Sequence, residues 1–476
     1  MKTDTSKHWE EIMSSNTKKI RSSMWWWSWL LAISFKQHLL ISALLRLSLI
    51  AYTQIHDSQS AVPYTDIDYK VVTDGARQVL QGESPFARHT YRYSPILAYL
   101  QLPNLFIHAA FGKLIYSMFD LLIAIVIHRL AYMVVKGQFE KTVQHLFYQA
   151  SKSHECKYFD ALDERNQPET VARGAACFWL YNPLTAVIST RGSGDSFSSF
   201  FVILSLYLLI RAEHRQEHSN WLIFFAGLSH GFVIHLRLYP LLFSLAYYLS
   251  LSTSLVRNFR NFLQQIFRPN VQQLCLVFGT LSSLVLLTWT FYSLYGYQYL
   301  YEAYIYHFVR KDARHNFSLQ FLMQYLSTGE EGETSLLIKL LVLAPQFVLI
   351  IYLSLTFGQF RQTLPFCVFT LAFVLVTYNS VVTSQYFIWY LAIFPLCLNN
   401  LKLLSWPRCF MLLALWICAQ ALWLLPAYLL EFRTWNTFNW IGAQSAIFFL
   451  TNSYILKELL AHYGFTHFKI SYKKFR

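Results

Sequence analysis

Charge is scarce in this sequence. Asp, Glu, Lys and Arg together make up 13% of its 476 residues, against roughly 25% in an ordinary soluble domain. Hydrophobic residues reach 55%, aromatic residues 18%, and the mean hydropathy is +0.32. Apolar runs long enough to span a bilayer recur along the whole length. These features exclude a soluble globular fold and point to an all-α polytopic membrane protein.

Metal and disulfide chemistry lack their sequence signals. The seven cysteines are Cys156, Cys177, Cys275, Cys367, Cys397, Cys409 and Cys418. They form no CxxC pair and no Cys/His ligand spacing. All but Cys156 lie in or beside apolar segments and read as small packing residues, so neither zinc nor a structural disulfide is expected. No small-residue cleavage site follows the basic start "KKIRSSMWWWSWLLAISF", so no cleavable signal peptide is expected. Trp25, Trp26, Trp27 and Trp29 there read as an interfacial anchor. The absence of an internal repeat at a fixed period speaks against a repeat-built transporter. Acids are also short: 25 against 39 bases, a net charge of +14. In a soluble protein that balance would suggest nucleic acid. Here the bases collect in short loops, and anionic membrane lipids, not nucleic acid, are the expected partners.

Apolar runs predict spans near 36–54, 113–135, 174–190, 196–211, 221–237, 238–252, 272–293, 335–357, 363–382, 385–402, 408–428 and 440–457, about twelve in all. A charged loop, 136–173, follows the second. Lys18, Lys19 and Arg21, then Arg257, Arg260 and Arg268, then the basic tail fall on one side, which the positive-inside rule makes cytosolic. Loops 55–94, 191–195, 294–334, 383–385 and 429–439 then face the other side. Two of these break the charge pattern. Residues 64–93 carry Lys70, Arg77, Arg88 and Arg92, and residues 306–316 carry Arg310, Lys311 and Arg314. Positive charge on that side works against insertion, and binding an anionic group is a natural reason for it.

The stretch "YTDIDYKVVTDGARQVL" (Tyr64 to Leu80) concentrates polar groups after the first apolar run. Residues 68–82 read as an amphipathic interfacial helix. Lys70, Asp74, Arg77, Gln78 and Gln81 lie on one face, Val71, Val72, Ala76, Val79 and Leu80 on the other, and Gly82 and Pro85 end it. Asp66 and Asp68 sit at its N-terminus, either as helix caps or as an ionised general base held at the lipid–water boundary. Elsewhere "YNPLT" breaks a span, "RGSGDS" makes a glycine turn, and "HLRLYP" places His235 and Arg237 in an apolar region. Arg46, inside the first span, is expected to snorkel or to pair with a loop acid. The sequon at Asn316 lies in the second basic loop.

Taken together, "YTDIDYKVVTDGAR", "GESPFARHTYRYSPILAYLQLPN", "FGKLIYSMFDLL", "YNPLTAVISTRGSGDS", "HLRLYP", "YHFVRKDARHNFS" and "SQYFIWYL" resemble, in order from about residue 37 to 402, the catalytic subunits of GPI mannosyltransferase I. The resemblance implies a GT-C-type membrane glycosyltransferase fold. It implies transfer of mannose from dolichyl-phosphate mannose to the glucosamine of glucosaminyl-phosphatidylinositol, through an α-1,4 bond. It also implies a place in the endoplasmic reticulum membrane with a lumenal site and cytosolic termini, and a smaller accessory membrane subunit with a lumenal domain. On that reading residues 1–35 are a cytosolic or interfacial N-terminus, 36–457 the multispanning catalytic domain and 458–476 a basic cytosolic tail. Asp66 and Asp68 correspond to the family's essential DxD pair, Asp68 as base. Arg310, Arg314, His315, Arg92 and Arg237 are the expected donor-phosphate ligands. Asp74, Arg77, Tyr93, His307, Asp195, Gln385 and Tyr386 are the expected substrate contacts. A divalent metal at Asp66 and Asp68 is left open, the donor's single phosphate weighing against it. The sequence departs from the family pattern at Gly75, Ala313, Asp195 and Arg237, where alanine, histidine, glutamate and lysine are usual.

Overall fold

The structure, a computed structural model, describes residues 33–60, 62–150, 168–309, 317–326, 336–401 and 404–464. Among these the regular structure is helical, with no strand. The Trp cluster, residues 151–167 of the charged 136–173 segment and the 310–316 run lie outside the described residues, and residues 136–150, expected to begin a loop, instead continue a helix.

Helix α1 (Phe35–Gln59) opens with a capping box between Ser34 and Gln37. The expected amphipathic helix is α2 (Ile67–Leu80). It ends at Gly82, whose φ of +80° suits only glycine without strain. Two short helices, α3 (Pro95–Leu100) and α4 (Pro103–Phe106), lead to the long α5 (Phe111–Ala150). The segment expected to cross at 174–190 is two helices, α6 (Pro168–Leu180) and α7 (Pro183–Arg191). Pro183 cannot continue α6, and Asn182 caps the restart by accepting from the Leu184 amide at 3.0 Å.

Helices α8 (Asp195–His214) and α9 (Ser219–Leu236) form the centre of the bundle. Pro240 then forces the chain out of the helix. Arg237 is extended (φ −149°, ψ 129°), a 3₁₀ turn runs from Tyr239 to Phe243, and α10 (Ser244–Ser250) follows. The short α11 (Phe259–Phe267) precedes α12 (Val271–Leu300), and α9 meets α12 closely through Gly227, Gly231 and Gly279. No side chain fits between the backbones at these three positions, the small-residue packing of membrane helices.

After a π turn come α13 (Tyr306–Val309), α14 (Phe321–Leu326), α15 (Leu336–Phe357) and α16 (Leu364–Thr377). Residues 364–376 are buried throughout, so α16 is enclosed by its neighbours. The chain closes with α17 (Phe387–Leu391), α18 (Trp406–Arg433) and α19 (Phe438–His462).

By length and composition, six helices among the described residues can cross a membrane: α1, α5, α8, α9, α12 and α18. The expected spans at 238–252 and 385–402 are instead short helices joined by 3₁₀ turns. Arg46 also differs from its expectation. It pairs with Asp120 of α5, a residue within a span and not in a loop, at 2.9 Å, and both side chains are essentially inaccessible.

Candidate active site

The site is built where four separate chain segments meet the N-terminus of α2. Asp66 is the N-cap, its Oδ1 accepting from the Asp68 amide at 3.1 Å while its own amide donates to the Arg191 carbonyl at 2.9 Å. The capping role expected for one of the pair therefore falls to Asp66. The Asp68 side chain, freed from capping, accepts from Gln385 Nε2 at 3.5 Å and lies against the Tyr93 phenol. Burial, above all, and then the charge of Asp68 raise the Asp66 carboxyl above the ordinary range, against the opposing pull of Arg191 and the Asp68 amide. Burial and the neighbouring Asp68 carboxylate likewise hold the Tyr93 phenol well above its ordinary value, so Tyr93 stays a neutral donor.

What fixes α2 is packing on protein. Val71, Val72 and Ala76 are buried, and Tyr69 seals its inner side. The Tyr69 ring lies on Gly192, whose φ of +97° and lack of a side chain admit it, and the Tyr69 hydroxyl donates to the Ala109 carbonyl at 2.7 Å. Gly75 faces the Tyr91 ring, where an added Cβ would come within 2.6 Å of it, which accounts for glycine in place of the alanine expected there. Leu80, expected on the apolar face, is exposed.

Arg237 projects from the broken end of α9 toward this cluster. Its guanidinium lies 3.4 Å from Asp195 and 5.4 Å from the centre of the Tyr93 ring, with Tyr386 and Asp68 close enough to feel its charge. Asp195, the first residue of α8, is fully buried. It accepts from Ser193 Oγ at 2.7 Å and from Trp389 Nε1 at 3.0 Å. It sits where the helix dipole favours a carboxylate. Its contacts are those of a residue that positions Arg237. Tyr386 stacks on Trp389, which stacks in turn on Tyr239 at 3.9 Å between ring centres.

Arg92 makes a second cationic corner. It pairs with Glu302 at 2.6 Å and its guanidinium lies 4.3 Å from the centre of the Tyr306 ring. His307 Nε2 donates to the Arg92 carbonyl at 3.1 Å. The two corners are tied together by His235, which bonds Ser94 through Nε2 at 2.9 Å and Tyr304 through Nδ1 at 2.8 Å. Asp74 and Arg77 stand apart from the Asp68 cluster. They are six and nine residues along α2 from Asp68, roughly 9 and 14 Å of rise, and Asp74 holds both Arg77 (2.8 Å) and Arg88 (3.2 Å). Arg310, Arg314 and His315 lie outside the described residues.

Sequence reading missed Arg191, which acts on Asp66, Lys113, which donates to Thr65, and Trp389, which donates to Asp195. Arg191 and Trp389 stood inside quoted motifs. The stronger signal was Lys113, a cation at the start of an apolar span. For a divalent cation the donor set is poor. Asp66 Oδ1 and Asp68 Oδ2 are already bonded, Arg191 and Arg237 supply positive charge beside them, and no group of three metal-ligating side chains occurs among the described residues. No chemical step is therefore routed through a metal.

Comparisons with known proteins show what the chain is similar to. A family model described as "Mannosyltransferase (PIG-M)" matches residues 188–460, and one described as "GPI transamidase subunit PIG-U" matches residues 38–321. The chain is 38% identical over 428 residues to the Danio rerio protein named "GPI alpha-1,4-mannosyltransferase I, catalytic subunit", covering 89% of this chain and 95% of that one. It is 32% identical over 452 residues to "GPI mannosyltransferase 1" of Dictyostelium discoideum, with 90% and 92% covered. With the protein of the same name in Saccharomyces cerevisiae it shares 31% over 431 residues, with 88% and 93% covered.

Proposed function

The chain belongs to the PIG-M mannosyltransferase family, and from that premise we propose that it transfers the first mannose of the GPI anchor from dolichyl-phosphate mannose to the glucosamine of glucosaminyl-phosphatidylinositol. It is a mannosyltransferase of GPI-anchor biosynthesis. The donor, the acceptor, the α-1,4 bond and the mechanism are the proposal. The observation that carries the mechanism is Asp68: a carboxylate released from capping by Asp66, held by Gln385 and Tyr93, with Arg237 nearby.

The donor is a β-linked sugar phosphate and the product is α, so a single displacement with inversion follows. The acceptor O4 attacks the anomeric carbon as Asp68 takes its proton. The bond from that carbon to the phosphate oxygen breaks, and its electron pair leaves with dolichyl phosphate, which gains a negative charge. Positive charge develops on the sugar in the transition state. Asp66 holds the Asp68 backbone and orients the acceptor. Arg237 and Arg92, completed by Arg310, Arg314 and His315 of the adjoining run, stabilise the departing phosphate. Tyr93, Gln385, Tyr386 and His307 shape the sugar pocket. Base assistance of this kind is worth about 10²–10⁴ in rate.

The same reading places the site on the lumenal side of the endoplasmic reticulum membrane with both termini cytosolic. About twelve crossings result when α15, α16, α19 and the broken pairs α6–α7 and α10 with its flanking turns traverse the bilayer beside the six long helices, an arrangement allowed where irregular backbone is covered by protein. It also includes a smaller accessory membrane subunit. The test has two arms. Cells lacking the first GPI mannosylation step should regain surface GPI-anchored proteins when given this chain. Their microsomes should convert glucosaminyl-phosphatidylinositol only when dolichyl-phosphate mannose is supplied. Transfer to a dolichol-linked oligosaccharide instead would identify a different mannosyltransferase.

A further inference from the structure

The described arginines assigned above to the donor phosphate already have carboxylate partners, Arg237 with Asp195 and Arg92 with Glu302, and Arg77 of α2 shares Asp74 with Arg88. A second group of cations lies around the start of α2, with Arg191 acting on Asp66. Lys70 stands in the first turn of α2, Lys113 at the start of α5, and Arg191 at the end of α7. Lys113 feels the charge of Asp57 first and then those of Lys70 and Arg191; the Asp57 carboxylate is itself taken up by the Tyr64 amide and by the amide and hydroxyl of Thr65. None of them makes an ion pair with a carboxylate among the described residues.

The inner two are built in. Lys113 is 4% exposed, donates to Thr65 Oγ1 at 2.7 Å, and sits 5.4 Å from the centre of the Tyr69 ring. Arg191 Nε is buried and has no hydrogen-bond partner. A buried guanidinium N–H left unmade costs free energy unless a ligand supplies the acceptor. Beside these cations and Asp57, apolar side chains are exposed. Tyr52 and Ile55 at the end of α1, Val62, and Ile67 at the start of α2 are all exposed, and the Tyr52 and Tyr64 rings meet edge to face at 6.2 Å. Cations next to exposed apolar side chains suit a phospholipid headgroup with its acyl chains alongside.

We propose that Lys70, Lys113 and Arg191 form a phosphodiester-binding subsite that holds the inositol phosphate of the acceptor glycolipid. This rests on the function proposed above and adds the acceptor's place in the site. Single-displacement inversion puts nucleophile and leaving group on opposite faces of the transferred sugar. Arg237, which acts on Asp68, is taken by the donor phosphate, so the acceptor's own phosphate is assigned to the cations grouped around Arg191, which acts on Asp66. Arg191 then has two tasks: it meets the phosphodiester and it offsets part of the negative charge on Asp66.

The test compares two acceptors with the full-length protein in membranes: glucosaminyl-phosphatidylinositol, and glucosaminyl-inositol lacking the phosphate. With the phosphorylated acceptor, Arg191→Gln is expected to raise the acceptor KM about tenfold or more and to leave the donor KM within about twofold. With the phosphate-free acceptor the same substitution should cause no further rise over the wild type, because the group it contacts is missing. Arg191→Lys should recover part of the loss, and Lys70→Gln, at an exposed position that does not affect folding, should raise the acceptor KM about threefold. The proposal is overturned if the donor KM rises instead, if both acceptors suffer equally, or if Lys70→Gln and Arg191→Gln both leave the acceptor KM unchanged. Should Arg191→Gln fail to accumulate, the Lys70→Gln result decides. Failure of the wild-type protein to use glucosaminyl-phosphatidylinositol would sink the function reading itself, a separate outcome from any of these.

Discussion

Arg237 Nη2 lies 3.4 Å from Asp195 Oδ1, and the same carboxylate oxygen accepts from the Trp389 indole at 3.0 Å. Asp195 thereby holds the guanidinium over the Tyr93 ring and within range of the Asp68 charge. Asp195→Asn removes the anchor charge and leaves Arg237 to turn toward the nearest remaining carboxylate, Asp68. Transfer is expected to fall about a hundredfold, through kcat more than through acceptor KM. Asp195→Glu, the residue usual in the family, should recover much of it. Steady-state kinetics on microsomes checks both.

Asp68→Asn tests the base directly. The amide keeps the shape of the side chain and can still meet Gln385, so the protein should accumulate normally. Mannose transfer should drop by about 10²–10⁴. Gln385→Ala removes only a supporting contact and should cost far less, about three- to tenfold. Near-normal transfer by Asp68→Asn would remove the base assignment.

Much of this site was legible in the sequence because its information is local. The α2 helix was expected over 68–82 and is observed over Ile67–Leu80 with Gly82 in a left-handed conformation; periodicity and a glycine stop are both short-range signals. The loops that charge counting placed on one face also meet: Asp66 with Arg191, Arg92 with Glu302, Asp68 with Gln385. What stayed hidden depended on pairing across the chain. Arg46 was read as a cation inside the first span that would snorkel or pair with a loop acid, yet its partner Asp120 is 74 residues away in another span, and nothing local links them. Apolar content does not report helix continuity, so it could not show that 238–252 and 385–402 are built of short helices and 3₁₀ turns. Arg191 was quoted within a glycine turn but given no role, since its lack of a partner is visible only in three dimensions.

The Arg46–Asp120 pair is a structural prediction of its own. Both charges are shielded, Asp120 also accepts from Ser196 Oγ at 2.6 Å, and Arg46 Nη1 donates to the Leu180 carbonyl at 3.1 Å where α6 breaks. Arg46→Ala leaves Asp120 buried and uncompensated, a loss of about 3–5 kcal/mol. The expected result is poor accumulation and early thermal unfolding in detergent, with the specific activity of the surviving folded fraction near normal. Arg46→Ala with Asp120→Ala should recover part of the stability, since no unpaired charge then remains. Selective loss of activity at normal abundance would place the pair in the chemistry instead.

Asp66 should show opposite effects on stability and on activity. Its carboxyl is raised above the ordinary range, chiefly by burial and then by Asp68. The folded state therefore binds this proton more tightly than the unfolded chain does. Ionised Asp66 costs stability at any pH above its folded pKa, and the cost fades as pH falls through that pKa toward the ordinary carboxylate value, where both states are protonated. Asn caps a helix about as well as Asp, so Asp66→Asn removes the charge while keeping the acceptor for the Asp68 amide. The variant is expected to melt at or above the wild-type temperature at pH 7, and that advantage should disappear near pH 4. Its transfer activity should nonetheless fall, because the acceptor loses its orienting carboxylate. Thermal melts of purified protein from pH 4 to pH 8 give the first result, and kinetics at pH 7 give the second. A lower melting temperature at pH 7 would mean that the charge of Asp66 is held by Arg191 strongly enough to stabilise the fold, and that burial is the smaller effect.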